Sequence, residues 1–481
     1  MTDKTARYIT TTLPYVNAEP HIGHTQEFAQ ADCLARYWRL MGHEVFFNTG
    51  TDEHGQKIAQ KADERGQDRQ AYVDEYAATF TKLKEALNLS YDRFIRTTDA
   101  EHKAAAQEIW RRCNAAGDIY KKKYTGLYCV GCEVFYKEDE LDENNCCLIH
   151  KQPVEEVEEE NYFFRLSKYQ DQLIAYLEDE ARTPTDWAQR WALEFAKGGL
   201  EDVSISRHTS RMDWGISVPE DDEHVMYVWF DALTNYISTL GWPDESSEGN
   251  FKKFWVDGET VQLAGKDQIR FQSLIWQGML LSAGLPQTDV IRYHGFINID
   301  GQKISKSIGN VISPYEVTER YGVEATRYFL LRHMHPTADS DLTWEKMDEW
   351  YTANLVNGLG NLTARIMKMA ETHLDEPIAK PTESPFVAEY TDALDNYNFQ
   401  GACDFVWKQI QALDEKITET EPFKLVKEDK PAAQKIIAEL VHDLYQVGRL
   451  LYPIMPEANV TIKEAVLANQ KPANLFDRLE E

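Results

Sequence analysis

No run of apolar residues in this chain approaches the length needed to cross a bilayer, and the N-terminus "MTDKTARY" lacks the pattern of a secretory leader. Both absences point away from a membrane and from export. Cysteine is sparse: seven in 481 residues, an odd number that argues against a disulfide framework and for a reducing cytoplasm. Positive charge is in deficit. With 51 Lys and Arg against 80 Asp and Glu, the net charge of −29 excludes a broad basic nucleic-acid surface and leaves room only for local basic tracks. Internal repeats and low-complexity tracts are also missing. What is present is ample apolar material, 43% of residues, enough to fill the cores of the roughly two to four domains that this length implies.

From Tyr8 to Asn48 the pattern reads strand, helix, strand. A strand over Tyr8–Val16 precedes a helix with Phe28, Ala31, Leu34, Ala35, Trp38 and Met41 at three- and four-residue spacings, and "EVFFNTG" follows Gly42 as a second strand. Such a βαβ unit predicts a parallel sheet with a right-handed crossover. Helical patterns over 68–88 and 100–116 extend it into a doubly wound α/β domain. Near Tyr120 the character changes to a short segment rich in cysteine, tyrosine and acid, ending in "VEEVEEEN". Strand and helix then alternate again through "VQLAGKD" and "VIRYHGFINID". The expected organisation is one Rossmann-type α/β domain in two halves, 1–117 and 224–343, interrupted by an insertion over 118–223. Past Trp344 only long helices remain (344–373, 389–418 and 432–452), so 344–481 is expected to be a separate helical bundle.

Three stretches carry chemistry. "PHIGHT" puts His21, Gly23 and His24 where a strand hands over to a helix, a junction whose free N–H groups and dipole suit an anion. "DGQKISKSIGN" carries Lys303 and Lys306 among small polar residues, a mobile cationic clamp. Read singly, the first is also an ordinary cap and the second a solvated loop. Cys129, Cys132, Cys147 and His150 form C-x-x-C, a hairpin-length spacer and C-x-x-H, the spacing of a tetrahedral zinc site with four protein ligands and hence a structural metal. Cys146 competes with Cys147 for the third position. Cys33, Cys113 and Cys403 sit in helical patterns and are expected as small core residues.

Taken together, "HIGH" and "KISKS" resemble the His-Ile-Gly-His and Lys-Met-Ser-Lys-Ser signatures of class I aminoacyl-tRNA synthetases, with Ile304 in place of the usual methionine. "TTTLPYVNAEPHIGH", "NTGTDEHGQKI", "EEENYFFRLS", "VWFDALTNYI" and "GKDQIRFQSLIW" narrow the resemblance to the methionyl-tRNA synthetases, over nearly the whole chain. The resemblance implies a methionine–tRNA ligase in which His21, Gly23, His24, Lys303 and Lys306 meet the phosphates of ATP, with Mg2+ accompanying the nucleotide. It implies a methionine pocket of Leu13, Tyr15, Asp52, Trp229, Ala232, Leu233, Tyr236 and Gln272, in which Asp52 holds the ammonium and the aromatics flank the thioether. Gln272 departs from the family, which commonly has a histidine there; glutamine can donate but cannot become cationic. The family's pattern also favours Cys147 over Cys146 as a zinc ligand.

In the bundle, Asn361 and Arg365 are four apart on one helix face and match positions that read the anticodon. Phe423 matches a position usually held by an anticodon-stacking tryptophan. The implied partners are L-methionine, ATP and tRNA(Met), initiator tRNA included. A monomer is expected, since no further C-terminal module follows the bundle, and the insertion is too small for the large editing domains of synthetases for other apolar amino acids.

Overall fold

The computed structural model describes residues 5–129, 134–136, 138–148, 151–304, 309–383 and 385–479. It divides into two compact units, and each is described by itself. One comprises Met1–Pro20, His43–Lys82 and Tyr91–Tyr293; the other comprises His21–Gly42, Leu83–Ser90 and His294–Glu481.

The first unit is built on a five-stranded sheet. β1 (Ala6–Thr11) lies at its centre and pairs in parallel with β2 (Glu44–Thr51) on one side and with the strand Glu259–Gly265 on the other. β3 (Arg93–Arg96) extends the sheet in parallel beyond β2, and Val290–His294 lies beyond Glu259–Gly265. β1 is "ARYITT", with Tyr8, Ile9, Thr10 and Thr11 all fully buried, as expected of a strand covered on both faces. The strand ends at Thr11, short of the Val16 that the sequence pattern suggests. Pro14 has no N–H to offer the ladder, and pairing resumes only as a bridge between Tyr15 and Asp52. Because the chain leaves β1 toward one side of the sheet and returns on the other, β1 marks the switch point. In open α/β sheets, ligands bind beyond the carboxyl ends of the strands at that place.

The stretch expected as an insertion opens with an antiparallel sheet, followed by the helices Gln170–Glu178 and Asp186–Lys197. Ile119–Cys129 pairs along its length with Glu155–Phe164, flanked by Val134–Tyr136 and Val203–Ser204. The acidic run therefore forms a strand. Its partner carries "YKKKY", and Lys123 lies opposite Glu160, so unlike charges face each other across the pair.

The second unit is mostly helical. α1 (Ile22–Leu40) is buried along almost its whole length, Thr25 to Trp38, which marks a core helix. The rod beginning at Trp344 runs to His373 with a π-wound stretch over Tyr351–Gly360. The helix expected over 389–418 is two: Ala388–Asp395 and Phe399–Thr420. Tyr397 takes a left-handed φ of 58°, and the Asn398 side chain caps the following helix by accepting from Gly401 N at 2.9 Å. Lys430–Leu451 and Pro456–Ala468 complete the unit. Cys33, Cys113 and Cys403 are buried, as their helical spacing predicts.

Candidate functional site

His21 is the N-cap of α1. Its Nδ1 accepts from Gly23 N at 3.2 Å, while His24 Nδ1 accepts from His21 N at 3.2 Å, a capping box built from two imidazoles. The rings stack with centroids 3.8 Å apart. A ring that accepts at Nδ1 holds its proton on Nε2, so this geometry selects the Nε2–H tautomer of both histidines. Two imidazole donors and the positive end of a 19-residue helix thus share one terminus. Gly23 sits in tight quarters: a Cβ there would come 3.0 Å from the His21 ring and 3.4 Å from Ile304 Cδ1, so these side chains would have to shift. That second neighbour belongs to the lysine loop, so the structure brings these two stretches together within one unit.

The loop is prepared by a tight hairpin. Ile297–Ile299 and Gln302–Lys303 pair antiparallel through Asp300 and Gly301, both at positive φ, the Asp-Gly choice of a type I′ turn. Gly301 N donates to Asp341 Oδ1 at 2.7 Å, fixing the turn. Lys303 is exposed, its Nζ 4.7 Å from the centroid of the Phe296 ring. Lys306 lies outside the described residues.

In the other unit, Leu13, Tyr15 and Asp52 follow the carboxyl ends of β1 and β2. Asp52 N donates to Pro14 O at 2.9 Å and Val16 N to Asp52 O at 3.1 Å, which holds Tyr15 beside Asp52. Leu13 and Asp52 are buried; Tyr15 is half-buried. Trp229 and Ala232 lie in the short helix Val228–Ala232 and Tyr236 in Asn235–Ser238, with Leu233 in the turn between them. Ala232, Leu233 and Tyr236 are buried, whereas Trp229 keeps one side accessible and stacks on Phe271 at 3.8 Å with the rings 16° apart. Phe271 was not legible as a pocket residue; only its place beside Gln272 could have drawn attention to it. Gln272 is fully buried, its Nε2 2.7 Å from Tyr236 Oη and 3.3 Å from Thr12 Oγ1. Its Oε1 has no hydrogen-bond partner among the described residues. The glutamine therefore orients the Tyr236 hydroxyl, a task that needs a donor and no positive charge.

Of the four expected zinc ligands, Cys132 and His150 lie outside the described residues. Cys129, the last residue of the strand Ile119–Cys129, and Cys147, bridged to Leu141, are buried thiols, and Cys146 is only half-buried. The described residues hold no cluster of three or more metal-ligating side chains. Two buried thiols suit a soft-ligand metal, and the fuller set belongs to the proposal below. In the bundle, Asn361 is exposed and Arg365 pairs with Asp414. Phe423 is 44% exposed on the short helix Pro422–Leu425, so much of its ring is open to solvent.

A parallel sheet whose order reverses at β1, and a histidine-capped helix start against a lysine loop, are the working parts of a class I aminoacyl-tRNA synthetase. The family described as tRNA synthetases class I (M) matches over residues 7–146 and 137–367. The methionine–tRNA ligase of Thermotoga maritima is 40% identical over 97% of this chain and 76% of its own length. That of Mycobacterium tuberculosis is 38% identical over 94% of this chain and 90% of its own. The solved structure of the M. tuberculosis methionyl-tRNA synthetase in complex with methionyl-adenylate superposes with a TM-score of 0.88 at 37% identity, covering 95% of this chain and 93% of that one. The chain belongs to the methionyl-tRNA synthetase family. Among the described residues no helix is long and apolar enough to cross a membrane.

Proposed function

We propose that the chain activates L-methionine with ATP and transfers the methionyl group to the 3′ end of tRNA(Met). A methionine carboxylate oxygen attacks the α-phosphorus, the bond to the bridging oxygen breaks, and pyrophosphate leaves methionyl adenylate behind. A hydroxyl of the terminal ribose then attacks the acyl carbon, and AMP departs. No side-chain nucleophile is needed. The observation that carries the reading is the pair His21 and His24, capped through Nδ1 so that both Nε2–H groups serve as donors at the helix terminus, with Gly23 packed close against the lysine loop. His21, His24, Lys303 and Lys306 stabilise negative charge growing on the phosphates, and losing one such donor costs roughly 10²–10³ in rate. Mg2+ bound with ATP supplies further neutralisation of the phosphates.

In this reading Asp52 holds the methionine ammonium. Tyr15, Trp229 and Tyr236 face the thioether, where each sulfur–aromatic contact contributes ~0.3–1.5 kcal/mol, and Leu13, Ala232 and Leu233 close the slot. Gln272 acts through the Tyr236 hydroxyl. Cys129, Cys132, Cys147 and His150 bind one structural zinc, and Asn361, Arg365 and Phe423 read the anticodon. ATP–pyrophosphate exchange with a panel of amino acids tests the proposal. Exchange is expected with methionine and not with isoleucine, valine or leucine; a silent protein, or one that prefers another amino acid, would overturn it.

A further inference from the structure

Asp231 is a completely buried carboxylate to which the reaction assigns no task. It sits on Val228–Ala232, two residues past Trp229 and one before Ala232. Each of its oxygens meets one imidazole: His54 Nδ1 lies 2.7 Å from Oδ2, and His102 Nε2 lies 2.8 Å from Oδ1. Both histidines are buried as well. A carboxylate only accepts hydrogen bonds, so the two ring nitrogens facing it both carry hydrogen. Burial works to raise the Asp231 pKa, and the two imidazoles overcome it, holding the group below the usual carboxylate range. His102 comes from the helix Ala100–Ala115, and its Nδ1 is fixed by Ser238 Oγ at 2.9 Å.

His54 matters because of where it stands in the chain. It follows Asp52 by two residues in the loop after β2, and the same loop is gripped from the other side by Trp214. The indole Nε1 donates to Glu53 O at 2.7 Å, Gly55 N donates to Trp214 O at 3.1 Å, and the His54 and Trp214 rings meet edge to face at 5.7 Å. The bridge thus joins the loop bearing Asp52 to the helix bearing Trp229 and Ala232. Those are the two ends of the amino-acid pocket.

We propose that the His54–Asp231–His102 bridge positions the methionine pocket, fixing the spacing between the carboxylate that holds the ammonium and the slot that holds the side chain. The inference rests on the pocket reading above. Nothing in the bridge touches the substrate; it works through Asp52 and Trp229. Its loss should weaken methionine and relax discrimination by side-chain length, while leaving ATP alone.

The test is methionine affinity by calorimetry, read without turnover, alongside exchange kinetics. Exchange with the unaltered protein judges the ligase reading; the calorimetry judges the bridge. His54→Leu should weaken methionine about tenfold or more, because small misplacements of binding groups have effects of that order. KM for ATP should move by less than about twofold, and the preference for methionine over ethionine should narrow. His54→Gln, which keeps a donor toward Asp231, should recover most of the affinity. Ser238→Ala, a mild change at the far end, should move methionine affinity in the same direction even where the His54 variants fold poorly. Unchanged methionine affinity in a folded His54→Leu protein, or equal losses for methionine and ATP, would overturn the proposal.

Discussion

Phe423 is an aromatic side chain left largely open to solvent in the helical unit. Phe423 offers an exposed ring, with the Lys424 ammonium 5.9 Å from its centroid, and unpaired bases are recognised by stacking on such rings, worth ~1–3 kcal/mol each. Phenylalanine presents a smaller face than tryptophan, so its contribution belongs near the lower end. Phe423→Ala should lower charging of tRNA(Met) by about tenfold, which is ~1.4 kcal/mol, and leave pyrophosphate exchange unchanged. Phe423→Trp should charge as well or better. Equal loss in both assays would return the residue to a structural role. Gln272 shows where reading residues one at a time stops. The sequence located it, but its partner Tyr236 lies 36 residues earlier, and no periodicity connects them.

At the scale of elements, one buried carboxyl gives a pH dependence with a definite sign. Glu324, in the helix Val323–Tyr328, accepts from Ala458 N at 2.8 Å at the start of Pro456–Ala468, while its Oε1 is buried without a hydrogen-bond partner among the described residues. Burial, with the Glu457 charge adding, pushes its pKa from 4.5 up to about 7. Below 4.5 both folded and unfolded states hold the proton and its contribution is complete. Above that the unfolded chain releases the proton first, so this stability is lost as the pH rises through about 7. Glu324→Gln keeps an acceptor for Ala458 and removes the titration. Its melting curve should match the unaltered protein near pH 4 and show an advantage of ~1–3 kcal/mol near pH 8; parallel pH profiles would refute the assignment. The insertion allows a second check. Cys147→Ser should release zinc, measured by elemental analysis, whereas Cys146→Ser should retain it; the reverse would exchange their roles.

Elements differ in how far the sequence shows them. The β1–α1–β2 unit was legible because a buried parallel strand and a helix both write strong local patterns. The break at Tyr397 was not, since the residues on either side continue a helical apolar spacing and only one left-handed backbone position separates two helices. The acidic strand Glu155–Phe164 was hidden for a related reason: its stability comes from the lysine strand more than thirty residues earlier. The signature histidines and lysines were legible as short motifs. The bridge on Asp231 was not, because His54 and His102 are 177 and 129 residues away from it.

At the scale of the molecule, the second unit holds α1 by a buried ionic tie. Arg327 and Asp32 are both fully buried and 2.7 Å apart. The same guanidinium donates to the carbonyls of Leu87, Pro453 and Ile454. Burial works to raise the Asp32 pKa, and Arg327 and Arg36 hold it below the usual range. Arg36 bonds Asp32 in turn, and its guanidinium lies over the Tyr452 ring. Breaking such a pair from one side costs about 3–5 kcal/mol. The consequence concerns what can be cut away. A minimal catalyst made by deleting 344–481 would remove the carbonyls of Pro453 and Ile454 and the Tyr452 ring, leaving a guanidinium dressed for a dry interior facing water. The helix that presents His21 and His24 would lose the far side of its clamp. Amino-acid activation is therefore not a detachable function here, although it involves no RNA. On gradual heating, pyrophosphate exchange and tRNA charging should fade with the same half-life; exchange that outlives charging, or that survives the truncation, would show that the two activities part company.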